Sequence, residues 1–323
     1  AAAVLMCREI DGRYPGGRYI CLYDGTGEID FGYDARVVSR SPGRIEVDVT
    51  PSGGGILLKI VESQRGDHVR NIRLIMPGFE QTHEEQVFHP LFLERLAPFD
   101  VVRFMDWQRI NDSSLVSWSD RPTLESRSQA TTKGVALELC IDLANKIDAD
   151  PWFCVPHMAD ESYIRGMAEM IRDRLEPGRV AYIEYSNEVW NAQFKQYHWV
   201  GENSPSDITL FPYKYGWHVK RVMAIFDEVF AGQEHRIVRV AAGQHWNPWV
   251  LRKAMEYVSG HVDAASVAGY FSLPHGSDST FDENTTIEDI VPLMHENVEY
   301  SLNKLQENLD IASNHDVPLI TYE

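Results

Sequence analysis

Long apolar runs and cysteines are scarce in this 323-residue sequence, and their scarcity excludes two classes of protein. No apolar run approaches the ~18 residues that a membrane-spanning helix needs. The four cysteines form no C-x-x-C pair and no zinc spacing, and they are too few for a disulfide scaffold. We therefore expect no membrane span, and cysteines that are buried free thiols. Bridges between Cys7 and Cys21 and between Cys140 and Cys154 are the alternative if the protein is exported.

Positive charge is also in short supply, because 30 Lys and Arg residues face 48 Asp and Glu residues, for a net charge of −18. This balance argues against nucleic acid or an anionic membrane surface as the partner, and it fits a neutral substrate. The opening apolar run from Ala1 to Met6 is too short for a signal-peptide core and lacks a basic leader. We expect a secreted or periplasmic protein whose signal peptide is not present in this chain. The oligomeric state is left open.

Cofactor and metal motifs are missing as well. No G-x-G-x-x-G opens a helix, and no P-loop, H-E-x-x-H or EF-hand pattern occurs. The acidic segment 278–283 offers oxygen atoms of the kind calcium accepts, without the spacing of a calcium loop. We predict no cofactor and no metal.

The sequence predicts two portions with different patterns. Residues 1–68 read as a small β-rich N-terminal portion, in which Ile45, Val47 and Val49 alternate with acidic residues and glycine-rich breaks separate short strands. From 69 to 323, apolar strand candidates alternate with helical patterns, which predicts a parallel sheet with covered faces. The strand candidates are 72–76, 101–105, 152–155, 180–185, 237–241, 264–268 and 319–322. The helical patterns cover 133–147, 161–175, 215–230 and 290–313.

Seven such strands without a nucleotide fingerprint favour a barrel over a doubly wound sheet. The predicted fold class is therefore α/β, a (β/α)₈ TIM barrel over 69–323 whose eighth strand is missing from this chain. In such a barrel the catalytic groups lie at the C-terminal ends of the strands. That rule selects Glu188, which follows the fourth strand, and Glu323, which follows the seventh. Two glutamates at strand ends are what glycoside hydrolysis requires, one protonated and one ionised.

The segment 184–191, Glu-Tyr-Ser-Asn-Glu-Val-Trp-Asn, resembles the Asn-Glu motif of the large clan of retaining barrel glycosidases, often called clan A. The resemblance covers roughly 69–323 and leaves the family within the clan unassigned. It implies that Glu188 is the acid/base and Glu323 the nucleophile in the hydrolysis of a β-glycosidic bond with retention. It further implies that Asn187 binds the 2-hydroxyl of the sugar, and that Glu188 is kept protonated by the negative charge of Glu323 nearby.

Three further strand ends match the pattern of the clan. The resemblance implies that Arg103 after the second strand contacts the nucleophile and that Tyr270 after the sixth strand hydrogen-bonds it. His157 after the third strand is a further candidate for substrate binding, with a structural histidine as the alternative. Glu184 lies inside the fourth strand and is expected to form a structural pair.

Aromatic and amide side chains at strand ends point to a carbohydrate substrate, because sugar rings stack on indole. Trp107, Trp190 and Trp246 are the candidates, with burial in the core as the alternative for each. Gln244 after the fifth strand is expected to hydrogen-bond substrate hydroxyls. Two rival functions remain, a non-catalytic carbohydrate-binding barrel and a transglycosylase that uses the same two glutamates.

Overall fold

The structure, a computed structural model, describes residues 2–273 and 281–323. The chain divides into two compact units, Ala1–His89 and Pro90–Glu323. The β-rich portion predicted for 1–68 lies within the first unit, and the catalytic portion predicted for 69–323 contains the whole of the second. The acidic segment 278–283 lies partly outside the described residues.

The first unit consists of antiparallel sheets. Its strands are β1 (Ala2–Met6), β2 (Gly17–Asp24), β3 (Gly27–Tyr33), β4 (Ala35–Ser41), β5 (Arg44–Val49), β6 (Ile56–Ser63) and β7 (Arg70–Ile75). One sheet has the order β1-β6-β3 and the other the order β4-β5-β2-β7. The core of this unit is formed by alternate residues of the strands, among them Cys21, Ile29 and Val47.

Strand β5 confirms the alternation predicted from the sequence. Ile45, Val47 and Val49 are buried, while the residues between them are partly exposed. The turn from β2 to β3 depends on Gly25, whose φ of +82° lies in the left-handed region. A Cβ atom there would collide with the carbonyl group of His68, so only glycine fits this turn.

The second unit is built on one parallel sheet with helices between its strands. Its strands are β8 (Val101–Arg103), β9 (Asp150–Val155), β10 (Ala181–Tyr185), β11 (Ile237–Ala242), β12 (Ala264–Ala268) and β13 (Leu319–Tyr322). Its helices are α1 (Pro90–Leu96), α2 (Leu137–Ile147), α3 (Glu161–Arg174), α4 (Lys195–Glu202), α5 (Phe211–Val229), α6 (Pro248–Val258) and α7 (Ile287–Ser313). The strands lie side by side in chain order, from β8 at one edge to β13 at the other.

The prediction of a (β/α)₈ TIM barrel with its eighth strand missing is wrong, because the described strands form no barrel. The predicted first strand, 72–76, lies in β7, which pairs antiparallel with β2 in the first unit. Among residues 2–273 and 281–323, no strand joins β8 to β13, so the parallel sheet has six strands and two open edges. The sequence of β7 gives the physical reason, because the exposed Arg73 separates Ile72 from Leu74. A barrel strand is buried on both faces, whereas three of the six residues of β7 are exposed, which an antiparallel strand tolerates.

The central strands of the parallel sheet are buried on both faces. Every residue of β12 is buried, and β9 is buried from Pro151 to Val155. On one face, side chains of successive strands form an apolar cluster that includes Trp152, Cys154 and Tyr322. This cluster lies beneath the C-terminal edge of the sheet and supports the side chains described below.

The cysteines of the described residues form no disulfide bridge. All four cysteines are free, and Cys21, Cys140 and Cys154 are buried, as predicted, while Cys7 is half-buried. Within the described ranges, no helix combines the length and the apolar character that crossing a bilayer would need.

Candidate active site

The six strands of the second unit are parallel, so their C-terminal ends meet at one edge of the sheet, where α/β proteins bind ligands. Strand β8 ends with Arg103, β10 is followed by Ser186, Asn187 and Glu188, and β13 is followed by Glu323. All of the strand-end residues singled out in the sequence therefore lie along this edge. The contacts between them decide which act together.

Arg103 is the centre of a hydrogen-bond network that joins three strand ends. Its Nη1 lies 2.8 Å from Oε1 of Glu323, and its Nη2 lies 2.7 Å from Oδ1 of Asn187. Its Nε and Nη2 lie 3.2 and 2.9 Å from Oε2 of Glu184. The side chain of Arg103 is only 11% exposed and that of Glu184 1%, so these are ion pairs largely removed from water.

Two aromatic rings pack against the Arg103 guanidinium. Its carbon atom lies 4.5 Å from the centre of the Tyr322 ring and 5.5 Å from that of Trp152. Burial alone would lower the pKa of Arg103, but the charges of Glu184 and Glu323 outweigh it and raise this pKa. Arg103 is thus a fixed cation at the end of β8.

Arg103 owes its position to the way β8 ends. The backbone amide of Phe104 donates to Trp152 O at 2.9 Å, which continues the pairing of β8 with β9 by one residue. The chain then turns away, and the buried amide side chain of Gln108 takes over the pairing. It donates to Cys154 O at 3.1 Å and accepts from Cys154 N at 3.0 Å.

Glu323 is held by two donors from different strand ends. Arg103 binds one carboxylate oxygen, and the hydroxyl of Tyr270 donates to the other. Burial and this hydrogen bond raise the pKa of Tyr270 to about 12, with further contributions from the charges of Glu323 and Glu188. Tyr270 therefore stays a neutral donor across the ordinary pH range, and both glutamates lie close enough to act on it.

The exit from β10 carries backbone strain. Ser186 has φ of +60° and Glu188 has φ of +40°, a region that side chains other than glycine rarely adopt. Such strain concentrates at functional sites, where the surrounding structure enforces it. Here the buried Asn187 is anchored by Arg103, while the half-buried Glu188 accepts a hydrogen bond from Asn191 Nδ2 at 3.1 Å.

Two amide residues that support Asn187 were not assigned this role from the sequence. Asn187 Nδ2 donates to Asn111 Oδ1 at 3.0 Å, and Gln196 Nε2 donates to the same oxygen at 2.8 Å and to Asn187 O at 2.8 Å. Gln196 also accepts from Asp112 N at 3.0 Å and is completely buried in α4. Only the packing of α4 against the end of β10 brings it there, so no local sequence signal points to it.

The sequence did contain a signal for Glu184. An ionisable residue in the middle of an apolar parallel strand must have a charged partner, because an unpaired buried charge is too costly. Its partners are Arg103 and the indole of Trp152, whose Nε1 donates to Glu184 Oε2 at 2.9 Å.

His157 lies outside the network around Arg103 among the contacts of the described residues. It is buried, its ring meets that of Trp199 edge-on at 5.8 Å, and its carbonyl oxygen accepts from the Tyr185 hydroxyl at 2.9 Å. Burial lowers the pKa of His157 to about 4, so the ring is neutral near pH 7.

The three candidate tryptophans are partly buried, and each has an apolar or aromatic partner. Trp107 stacks on Phe92 with ring centres 6.1 Å apart, and Trp246 stacks on Tyr300 at 5.5 Å. Trp190 packs against the apolar cluster beneath the strand ends. Gln244, the other substrate-binding candidate, is half-buried just before Trp246.

The residues at this edge have no arrangement typical of a metal centre. Within residues 2–273 and 281–323, no three His, Cys, Asp or Glu side chains are placed to hold a metal ion. The chemistry available at the edge is that of carboxylates, a fixed arginine, a tyrosine hydroxyl and amides.

Comparisons with known proteins give little further information. No family model matches the chain, and no curated protein sequence matches it. Among solved structures, it is similar to the crystal structure of Bacteroides uniformis beta-glucuronidase, with 10% sequence identity and a TM-score of 0.31. The match covers 97% of this chain and 42% of that chain. A likeness this weak carries no argument about activity, so function has to be argued from the residues at the strand ends.

Proposed function

We propose that this protein is a glycoside hydrolase that cleaves β-glycosidic bonds of an oligo- or polysaccharide with retention of configuration. The observation that carries the proposal is the environment of Glu323. Arg103 and Tyr270 each hold one of its oxygens, and the charge of Glu188 also acts on Tyr270. A carboxylate held by a fixed cation and a hydroxyl is kept in one orientation, as the nucleophile of a displacement has to be.

Glu188 supplies the proton in this mechanism. In its protonated form it donates to the departing glycosidic oxygen while Glu323 attacks the anomeric carbon, which gives a glycosyl ester and the free alcohol. Glu188, now ionised, then takes a proton from water as the water oxygen attacks the anomeric carbon, which breaks the bond to Glu323 and releases it as a carboxylate. The sugar leaves with its original configuration, and Glu188 is protonated again.

Asn187 is proposed to bind the 2-hydroxyl of the sugar, where hydrogen bonds strengthen in the transition state. Its Oδ1 accepts from Arg103 and one hydrogen of its Nδ2 goes to Asn111, which leaves the second amide hydrogen for the substrate. Further parts of a glycan chain are proposed to contact Trp107, Trp190, Trp246 and Gln244. The buried His157 is proposed to support the site from the protein interior. No cofactor takes part in the proposed reaction.

The test is turnover by the wild-type protein and by Glu188→Ala on 4-nitrophenyl β-glycosides and on unactivated β-glycans. Glu188→Ala should lose about 10²–10⁴-fold in kcat on unactivated glycans, because these need a proton at the leaving oxygen. Activated aryl glycosides should be partly spared, and azide should restore their cleavage by forming a β-glycosyl azide. Glu202→Ala, which removes an exposed glutamate from α4, is the matched control and should behave like the wild type.

The outcomes separate the rival functions. Equal losses on activated and unactivated substrates would count against the acid role of Glu188. Heat of oligosaccharide binding without turnover by the wild type would identify a carbohydrate-binding protein. Glycosyl transfer to sugar hydroxyls in preference to water would identify a transglycosylase.

A further inference from the structure

Glu184 is a buried carboxylate at the heart of the strand-end network. It lies within β10, beside Cys154 of β9 and Val240 of β11, two members of the apolar cluster. It is completely buried, and each ion removed from water costs several kcal/mol before partners are counted. The contacts of the Glu184 carboxylate should therefore show what its burial achieves.

One oxygen of Glu184 accepts all of the hydrogen bonds that the described residues donate to this side chain. Oε2 accepts from Arg103 Nε and Nη2, from Trp152 Nε1 at 2.9 Å, and from the Cys154 thiol at 3.5 Å. Oε1 is buried without a hydrogen-bond partner among the described residues. The carboxylate is therefore oriented so that one oxygen accepts from both Nε and Nη2 of Arg103.

This contact determines which edge of Arg103 faces the site. A guanidinium has five N–H groups in one plane, and Glu184 takes those on Nε and one on Nη2. The other Nη2 hydrogen goes to Asn187 and one Nη1 hydrogen to Glu323. Trp152 and Tyr322 also pack against the guanidinium, so Glu184 and these two rings together hold Arg103 in one orientation.

Glu184 also cancels the charge of Arg103. The other ionisable groups that its charge reaches from neighbouring elements are Cys154 on β9, Tyr215 on α5 and Tyr322 on β13. Burial first, and then the charge of Glu184, raise the pKa of all three, so they are neutral near pH 7. Arg103 is thus the compensating cation, and Glu323 lies beside an ion pair of zero net charge.

We propose that Glu184 is a positioning residue of the glycosidase reaction, which orients Arg103 toward Glu323 and Asn187 and neutralises the charge of that arginine. This inference rests on the proposed function. Without Glu184, an unpaired Arg103 is free to turn and bind both oxygens of Glu323, including the oxygen needed for attack. Its uncompensated positive charge then favours the ionised forms of Glu323 and of Glu188.

Two variants separate orientation from charge. Glu184→Gln keeps the size of the side chain and an acceptor oxygen but removes the charge. For this variant kcat/KM should fall about 10- to 100-fold, as expected for a misplaced catalytic group. Both limbs of the pH profile should move to lower pH, by about one unit. Glu184→Asp keeps the charge, but its side chain is one methylene shorter and its carboxylate lies farther from Arg103. For this variant kcat/KM should fall, while both limbs of the pH profile stay at their wild-type pH.

Glu138→Gln is the matched control, because Glu138 is also a buried glutamate paired with an arginine. It lies 3.2 Å from Arg121 Nη2 and makes no contact with the strand-end network. Its loss should lower thermal stability and leave the pH profile unchanged. If the pH profile of Glu184→Gln equals that of the wild type, Glu184 does not neutralise the charge of Arg103. If kcat/KM of Glu184→Asp equals that of the wild type, Glu184 does not orient Arg103.

Crystal structures of the wild type and of Glu184→Gln test the inference without any turnover. The contact between Arg103 Nη1 and Glu323 Oε1, 2.8 Å in the wild type, should change to a contact with both oxygens. An unchanged contact would overturn the positioning role. A wild type without glycosidase activity but with this rearrangement would reject the proposed reaction and keep the structural dependence of Arg103 on Glu184.

Discussion

Tyr270 donates its hydroxyl to Oε2 of Glu323, the carboxylate oxygen that Arg103 leaves free. The two donors come from different strand ends, so the orientation of Glu323 depends on the register of β8, β12 and β13. Tyr270 itself is 43% exposed, and its ring therefore contributes little to the core. Its hydroxyl is the part of the residue that the site uses.

Replacing Tyr270 by phenylalanine should lower kcat with little effect on folding. A hydrogen bond to a charged group is worth about 1.5–3 kcal/mol, which corresponds to roughly 10- to 100-fold in rate. Steady-state kinetics on a 4-nitrophenyl β-glycoside, together with a thermal melt, measures both effects. Tyr213→Phe is the control, because Tyr213 donates to Glu256 at 2.9 Å on the helical surface. A loss of rate equal in both variants would show that the Tyr270 hydroxyl has no special role.

Gln196 should be important for stability although it reaches no substrate. Gln196→Leu would leave Asn187 O and Asp112 N without the donor or acceptor that Gln196 gives each of them, while Asn111 Oδ1 keeps the hydrogen bond from Asn187 Nδ2. Because an unsatisfied buried group costs about 1–3 kcal/mol, we expect the free energy of unfolding to fall by about 2 kcal/mol.

Urea unfolding followed by tryptophan fluorescence measures this change. All eight tryptophans lie between residues 107 and 249, so the signal reports on the second unit. The control is Gln193→Leu, since Gln193 is exposed just before the start of α4. If the two variants unfold at the same urea concentration, the network around Asn187 does not depend on Gln196.

The strands could be located from the sequence, but their pairing could not. The run 319–322 was predicted at the bounds that the structure has, and 264–268 likewise, because buried parallel strands are short apolar runs between turns. The run 72–76 looks similar, yet β7 pairs antiparallel in the first unit. An apolar run specifies a strand and not the strand that pairs with it, so the TIM barrel inferred from the number of strands is wrong.

Some residues of the candidate site could likewise be predicted from the sequence, and others could not. Arg103 is the last residue of its strand, and Asn187, Glu188, Tyr270 and Glu323 lie within three residues of the end of theirs, so a rule about strand ends finds them without knowledge of the fold. Gln196 and Asn111 are placed by the packing of a helix and a loop against β10, and that packing is not encoded in any local pattern. The exact partner of Glu184 required the sheet order as well.

Two buried histidines should make the second unit less stable in acid. Burial lowers the pKa of His157 to about 4 and that of His218 to about 3, from an ordinary value near 6.5. For a group with a lowered pKa in the folded state, the unfolded state binds the proton first as the pH falls. The stability that these rings contribute as neutral groups is therefore complete above about pH 6.5 and is lost progressively as the pH falls toward 4. Each ring should add up to about 1.4 kcal/mol per pH unit to the slope.

Unfolding in urea between pH 7.5 and 4.5 tests this dependence. His218 stacks on Tyr185 at 5.2 Å and lies near Ser204, whose Oγ is 3.2 Å from its Nε2. His218→Gln removes the titrating ring, so the slope of unfolding free energy against pH should become less steep over this window. His235→Gln changes an exposed histidine and should leave the slope as it is. A wild-type slope in the His218 variant would mean that another group, such as a carboxylate protonated at the same pH, causes the loss of stability. Each variant replaces one histidine by glutamine, but His218 is buried in the wild type and His235 is exposed. A change of slope in the His218 variant alone therefore assigns the acid sensitivity to the burial of a neutral imidazole.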